Sequence, residues 1–178
     1  MKFLIASDIH GSFISTQKIL DSAKQFNVDK IVLLGDVYYH GPRNVIPDYY
    51  DPKKVSALLN ENVDKLIVVR GNCDSQVDAM ISDFEFVDQA IITLGTKSIF
   101  LTHGHIFNMD NPPKGEYNAV IYGHFHTGFI EKLNGKIFAN AGSVTLPKNQ
   151  TPKSFIIADE NKLTLYNLEC EKIKEQSY

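Results

Sequence analysis

Apolar runs and amphipathic segments alternate over the first 70 residues of the chain. Apolar residues fill Phe3–Ala6, Ile31–Leu34 and Leu66–Val69, which predicts three buried strands. Residues 12–26 repeat apolar side chains at three- and four-residue spacing, which predicts a helix, and a shorter helix is predicted around residues 53–60. This β-α-β-α-β order predicts a right-handed parallel sheet for the first half of the chain.

The second half has a different pattern, in which apolar runs are separated by short polar turns. Strands are predicted at residues 90–94, 98–101, 119–122, 129–133, 136–139, 155–158 and 163–168. Asn134-Gly135 stands between two of these runs and is typical of a tight hairpin. We therefore expect an antiparallel second half and one α/β domain over residues 1–178. The last ten residues mix both charges, which predicts a solvated end.

Composition narrows the class of protein. With 43% hydrophobic and 22% charged residues, the chain has the composition of a globular domain, and no apolar run reaches the roughly 20 residues of a membrane span. The opening MKFLIAS is too short for a signal peptide, and two cysteines are too few for a disulfide framework, so we predict a cytoplasmic location. The net charge of −3, without a run of Lys or Arg, disfavours nucleic-acid binding.

Side chains able to bind a cation follow five of the predicted strands. In chain order they are Asp8 and His10, Asp36, Asn72, His103 and His105, and His124 and His126. Functional groups of open α/β sheets gather at the carboxyl ends of strands. Oxygen donors combined with imidazole suit Mn, Fe or Zn, whereas all-oxygen sites would indicate Mg or Ca. Each motif alone is typical of an ordinary polar loop, but the recurrence at five strand ends predicts a metal site.

The order of these motifs resembles the signature blocks of the calcineurin-like metallophosphoesterase superfamily. The blocks are Asp8-Ile9-His10, Gly35-Asp36, Gly71-Asn72, His103-Gly104-His105 and Gly123-His124-Phe125-His126. Longer segments such as VRGNCDS, YGHFH and NAGSVTLPK resemble the small bacterial and archaeal YfcE-type phosphodiesterases, and the likeness runs from Met1 to about residue 168. The resemblance implies a four-layer α/β sandwich in which two mixed β-sheets are flanked by helices.

The resemblance also implies two divalent metal ions. One ion would take Asp8, His10 and His126, the other Asn72, His103 and His124, with Asp36 bridging them. Such a pair of ions holds a hydroxide between them for in-line attack on phosphorus. Mn²⁺ is expected first from the mixed oxygen and nitrogen donors, with Fe, Zn, Ni, Co and Mg as alternatives. The implied activity is that of a hydrolase acting on small phosphate diesters.

Cys73 departs from the wider superfamily, many members of which carry a histidine directly after the asparagine. In those members the histidine aids the leaving group, so Cys73 predicts a preference for diesters over monoesters. The predicted catalytic residues are Asp36, Asn72, Cys73 and His105. His105 follows a ligand by two positions and is expected either to contact the phosphate or to hydrogen-bond to a ligand.

The segment 37–52 is long for a loop, which suggests a functional role. Candidates to line a substrate cleft are Tyr38, Tyr39, His40, Arg43 and Asn44. Tyr49 and Tyr50 fit either that cleft or a subunit interface, in a homodimer or homotetramer.

Other functions are compatible with this pattern of metal-binding motifs. A structural metal site would be closed and four-coordinate. A phosphomonoesterase is disfavoured by Cys73 and a nuclease by the weak basic character, whereas a dinucleoside polyphosphate hydrolase stays open. The same fold also serves as a non-catalytic interaction module, as in a retromer subunit, but the complete ligand set favours catalysis.

Overall fold

The computed structural model describes residues 1–178 and contains twelve strands and three helices. The strands are β1 Phe3–Ala6, β2 Lys30–Leu33, β3 Leu66–Val69, β4 Phe86–Val87, β5 Ala90–Leu94, β6 Lys97–Leu101, β7 Ala119–Tyr122, β8 Phe129–Leu133, β9 Lys136–Asn140, β10 Ser154–Ala158, β11 Lys162–Asn167 and β12 Lys172–Ser177. The helices are α1 Phe13–Gln25, α2 Pro52–Asn60 and α3 Gln76–Ala79, and Val63–Lys65 forms one 3₁₀ turn.

The strands form two mixed sheets, which confirms the predicted fold class. The first sheet has the order β12-β11-β10-β1-β2-β3-β4, and the second has the order β5-β6-β7-β9-β8. Strands β1 to β4 run parallel to one another, as the sequence predicts for the first half. None of the helices combines the length and apolar character required to cross a bilayer.

Local sequence explains where the two longer helices begin. The Ser12 side chain accepts a hydrogen bond from the backbone N–H of Ser15 at 3.3 Å, and Asp51 accepts one from Lys54 at 3.0 Å. Both side chains satisfy an N–H that the first helical turn leaves without a partner. Pro52 then occupies the first position of α2, where its fixed φ fits and no N–H is needed.

Successive side chains of β1 point to opposite faces of the first sheet, and this shows how the sheets and helices are layered. Leu4 and Ala6 pack with the apolar faces of α1 and α2, whereas Phe3 and Ile5 point into the layer between the two sheets. The outer face of the second sheet is covered by aromatic and apolar side chains of the irregular segment 102–118. The helices therefore flank the first sheet, and a packed loop flanks the second.

One expectation about elements was wrong and a second was incomplete. The second half is not antiparallel throughout, because β6, β7 and β9 of the second sheet run parallel, and within that sheet only the hairpins β5–β6 and β8–β9 are antiparallel. The tail is not simply a solvated end, since residues 172–177 form β12 and pair with β11. Both faces of this edge strand are largely exposed, so its sequence lacks the apolar alternation that marks a strand.

Candidate metal centre

The predicted metal ligands come together at strand ends from both sheets. The first sheet supplies Asp8 and His10 after β1, Asp36 after β2 and Asn72 after β3, and the second supplies His103 after β6 and His124 and His126 after β7. Left-handed φ angles occur at Asp8 (59°), His10 (49°), Asp36 (54°), His124 (66°) and His126 (59°). This conformation costs a non-glycine residue about 1–3 kcal/mol and concentrates at functional sites.

One group of donor atoms surrounds Asp8, which is buried. The His126 Nε2 lies 3.3 Å and the His10 Nε2 3.7 Å from Asp8 Oδ1, and the two imidazole nitrogens lie 3.2 Å apart. Two ligands of one ion, each bound at about 2.0–2.2 Å, are separated by about 3–3.6 Å. Asp8 Oδ1 is buried without a hydrogen-bond partner. Because a buried anionic oxygen requires a partner, these distances and this oxygen fit a divalent cation.

A second group of donor atoms lies beside the first. The Nε2 of His103 is 3.0 Å from Asn72 Oδ1 and 3.5 Å from Asp36 Oδ1. The His124 ring centroid lies 5.1 Å from that of His103. The other carboxylate oxygen of Asp36, Oδ2, lies 3.7 Å from the His10 Nε2, so Asp36 faces both groups.

Backbone carbonyls orient three of the imidazoles. The contacts join Nδ1 of His10 to Tyr39 O at 2.7 Å, Nδ1 of His103 to Leu34 O at 2.6 Å and Nδ1 of His126 to Leu146 O at 2.6 Å. A carbonyl can only accept, so each Nδ1 donates and each Nε2 keeps a free lone pair. This arrangement of a metal-binding histidine fixes the ring and its tautomer.

The surroundings lower the pKa of two of these donors, Asp8 and His124. Burial by itself raises the pKa of Asp8, but the surrounding His126, His103 and His10 outweigh it and hold that pKa well below its usual range. Burial and the neighbouring His103 lower the pKa of His124 to about 4. At neutral pH both side chains are therefore in the form that binds a cation.

Asp74, which the sequence pattern did not single out, joins the loops that carry Asp36 and Asn72. Its carboxylate accepts hydrogen bonds from the N–H groups of Asp36 and Val37, each at 2.8 Å, and of Gly71 at 2.7 Å. Burial raises the pKa of Asp74 to about 6, and these bonds oppose the rise. Gly71 must lack a side chain here, because a Cβ would collide with Asp36.

The segment that begins at Asn140, the last residue of β9, also bonds to the loops that carry the predicted metal ligands. Its contacts run from Asn140 Nδ2 to Gly123 O at 2.6 Å, from Ser143 Oγ to Asp8 O at 2.8 Å and from Thr145 Oγ1 to Ile9 O at 2.8 Å. Ser143 Oγ also accepts from the N–H of Leu146 at 2.8 Å. This segment matches part of NAGSVTLPK, which the sequence marked only by resemblance.

A cleft of about 710 Å³ opens beside the two groups of donor atoms. Its wall consists of Asp36, Tyr39, Gly41, Pro42, Arg43, Asn44, Asn72, Cys73, His124, Phe125, His126 and Lys148. Of the loop candidates, Tyr39, Arg43 and Asn44 therefore reach the cleft. The others do not: the buried Tyr38 bonds to Ser82 at 2.7 Å, and the His40 ring packs between Tyr39 and Tyr50.

The remaining candidates occupy different positions. Cys73 lies on the cleft wall, and its Sγ is within 4.8 Å of donor atoms of His10 and Asp36. His105 is exposed and absent from that wall, with its ring 5.4 Å from the ring of His103. Tyr49 is 69% exposed, as a residue of a subunit interface would be in a single chain.

Comparison with known proteins agrees with this geometry. The family model described as the calcineurin-like phosphoesterase superfamily domain matches residues 1–163. The chain belongs to this superfamily. Among curated members, the phosphodiesterase YfcE of Escherichia coli strain K12 is 42% identical over 179 residues, covering 99% of this chain and 97% of that protein. The probable metallophosphoesterase YsnB of Bacillus subtilis is 28% identical and covers 94% of this chain and 86% of that protein.

Solved structures of the superfamily share the fold. E. coli YfcE, described as a phosphoesterase, superimposes with a TM-score of 0.96 at 39% identity and covers 99% of both chains. Wild-type Vps29 of Entamoeba histolytica, solved in complex with Zn²⁺, has a TM-score of 0.60 at 20% identity and covers 100% of this chain and 98% of its own. At that identity the likeness to Vps29 concerns the fold alone.

Proposed function

We propose that the chain is a metal-dependent phosphodiesterase, a hydrolase that cleaves small phosphate diesters at a two-metal centre. The observation that carries the proposal is the position of Asp36, whose two carboxylate oxygens face two separate groups of donor atoms. The 42% identity to a phosphodiesterase over nearly the whole chain supports the same reaction class.

The division of the donor atoms into two groups supports a two-metal centre. Asp8, His10 and His126 would hold one ion and Asn72, His103 and His124 the other, with Asp36 shared between them. Two divalent cations, when bound, supply a hydroxide nucleophile at neutral pH and neutralise negative charge on the phosphate. Mn²⁺ is the first expectation because the donors mix oxygen with imidazole nitrogen. Asn72 adds a neutral ligand, which limits the negative charge that faces an anionic substrate.

The residues on the cleft wall favour a diester. Burial raises the pKa of the Cys73 thiol to about 12, far from the neutral pH at which a general acid works best. The leaving group must therefore depart with little help from a proton donor, which suits an activated diester better than a dianionic monoester. The partly exposed rings of Tyr39 and Phe125 provide apolar surface for the groups esterified to the phosphate.

A dinucleoside polyphosphate hydrolase or a phosphomonoesterase would use the same centre and is an alternative within this proposal. A non-catalytic interaction module is disfavoured because every predicted donor position is filled and the donor atoms converge. The cytoplasmic location and the homodimer or homotetramer remain predictions from the sequence.

The first test is removal and return of the metal. Protein dialysed against a chelator should lose hydrolysis of bis(p-nitrophenyl) phosphate and should regain it best with Mn²⁺. The measurement is kcat/KM for this diester and for p-nitrophenyl phosphate, together with the number of Mn²⁺ ions bound. Full activity after chelation, or the binding of a single ion in the active form, would overturn the two-metal centre.

A pair of variants, Asp36→Asn and His105→Ala, tests whether Asp36 is the shared ligand. Asp36→Asn should lower kcat/KM by at least about 100-fold, because it weakens both groups of ligands, whereas changes that act only from outside a ligand set cost about 10–100-fold. His105→Ala should cost less than Asp36→Asn, since His105 lies off the cleft wall. Similar small losses in the two variants would exclude Asp36 as the shared ligand.

A further inference from the structure

The cleft is larger than the reacting phosphate requires. Its volume of about 710 Å³ falls within the range of about 300–1,000 Å³ that binds whole organic ligands. Four of the predicted metal ligands form one part of the wall, and the loops 39–44 and 146–148 contribute to the rest. The cleft therefore has room, beside the metal ligands, for the groups esterified to the phosphate.

Two of those residues are cations without a partner. Arg43 and Lys148 are exposed on the cleft wall, and the ion pairs between other cations and carboxylates involve neither of them. The carboxylate on the same wall, Asp36, is turned toward the predicted metal ligands. A chain with a net charge of −3 thus presents two uncompensated positive charges at this place.

Hydrogen bonds fix the backbone that carries Arg43. Tyr39 O bonds to the predicted ligand His10 at 2.7 Å, and Arg43 follows four residues later, within about 14 Å of chain. The Asn44 side chain donates to His40 O at 2.8 Å and closes the turn between them.

The backbone that carries Lys148 is fixed in the same way. Leu146 O bonds to the predicted ligand His126 at 2.6 Å, and the N–H of Lys148 donates to His126 O at 2.9 Å. Because the Nε2 atoms of His10 and His126 lie 3.2 Å apart, both cation-bearing loops are anchored at one side of the metal centre.

We propose that Arg43 and Lys148 form a second anion subsite, so that the preferred substrates are phosphate diesters that carry an additional phosphate group; this rests on the proposed phosphodiesterase function. The guanidinium of Arg43 can hold two phosphate oxygens at once, and Lys148 adds a mobile point charge. The additional phosphate is bound and not cleaved, and it positions the diester phosphate over the metal ligands.

The test uses two thymidine esters that differ by one phosphate. Both carry p-nitrophenyl phosphate at the 5′ position, and only one carries a 3′-phosphate. The wild type should show a kcat/KM at least tenfold higher for the 3′-phosphorylated ester, mainly through a lower KM. Arg43→Gln and Lys148→Gln should each reduce that ratio about threefold to tenfold, and the double variant should bring it close to one. Lys132→Gln, an exposed lysine on β8, is the control and should leave the ratio unchanged.

The outcomes separate the two proposals. If no diester is hydrolysed under any metal condition, including bis(p-nitrophenyl) phosphate, the phosphodiesterase function itself fails. If that simple diester is hydrolysed but the wild-type ratio is near one, the anion subsite is refuted and the function stands. A high ratio that persists in the double variant would also refute the role of Arg43 and Lys148.

Discussion

Cys73 is the residue on which the proposed preference for diesters over monoesters depends. Its thiol lies on the cleft wall, and burial raises its pKa to about 12. Imidazole titrates near pH 6.5 and can deliver a proton to a leaving oxygen at neutral pH, whereas a thiol is a weak hydrogen-bond donor. A thiol at this position therefore suits the proposed diester substrates, whose leaving groups need little help from a proton donor.

The variant Cys73→His should shift specificity toward monoesters. We expect the ratio of kcat/KM for bis(p-nitrophenyl) phosphate over p-nitrophenyl phosphate to fall about tenfold, a change of about 1.4 kcal/mol in relative transition-state binding. Cys73→Ser, which removes the thiol without adding a proton donor of suitable pKa, is the control. An unchanged ratio in Cys73→His, or a wild type that already prefers the monoester, would show that this position does not set substrate class.

At the scale of residues, the sequence nominated side chains that the structure brings together, but it did not reveal the groups that hold them in place. His103 and His126 were nominated because side chains able to bind a cation recur at the ends of predicted strands. Asp74 was missed because its role is to accept three backbone N–H groups from two separate loops, and no spacing in the sequence encodes that contact. The same applies to Lys148, which reaches the cleft through a hydrogen bond to His126.

At the scale of elements, the segment from β9 to residue 148 acts as a support for the metal loops. Ser143 is completely buried and links the β1 loop, through Asp8 O, to the N–H of Leu146, whose own carbonyl orients His126. Loss of one hydroxyl therefore loosens ligands that come from both sheets.

Ser143→Ala should weaken Mn²⁺ binding by about 10–100-fold, the usual effect of removing a group that orients metal ligands. Titration calorimetry on the metal-free protein measures this directly. Ser56→Ala is the matched control, because Ser56 is also buried and bonds to a backbone carbonyl, Lys53 O at 3.0 Å, but lies in α2. Equal Mn²⁺ affinities of the two variants would mean that Ser143 only stabilises the fold.

Element boundaries followed the apolar pattern where a strand is buried on at least one face. Strands β1, β3, β5, β7 and β8 have the predicted bounds, and α1 differs from its prediction by one residue at each end. Strand direction was harder, because β6 reaches β7 through the irregular segment 102–118, which packs over the second sheet, and β7 reaches β9 only through β8. Such packing is a tertiary property that a local pattern does not contain.

At the scale of the whole molecule, the candidate centre joins the two sheets. Asp8 and Asp36 belong to loops of the first sheet, and His103, His124 and His126 belong to loops of the second. Hydrogen bonds such as those from His103 to Leu34 O and from Ser143 to Asp8 O already join these loops. Bound ions would hold the two sheets together at this edge.

Metal binding should therefore raise the melting temperature. Mn²⁺ at 100 times its dissociation constant should stabilise the fold by about 2.7 kcal/mol per site. For a chain of this size each occupied site corresponds to a rise of about 5–10 °C, measured by calorimetry on chelated and reloaded protein. Ca²⁺ is the control, because it prefers all-oxygen sites and should give a smaller rise. Equal rises with the two ions, or no rise with Mn²⁺, would contradict a mixed-donor site that spans both sheets.

The position of β1 in the first sheet matters while the protein is being synthesised. One neighbour of β1 is β2, but the other is β10, which lies about 150 residues further along the chain. While a ribosome is still producing the middle of the chain, the strand that leads to Asp8 has one unpaired edge, and such edges are prone to pair with other chains. The residues after 150 therefore protect a strand edge that is synthesised long before them, and a protein shortened from its C-terminal side through β10 would leave that edge open.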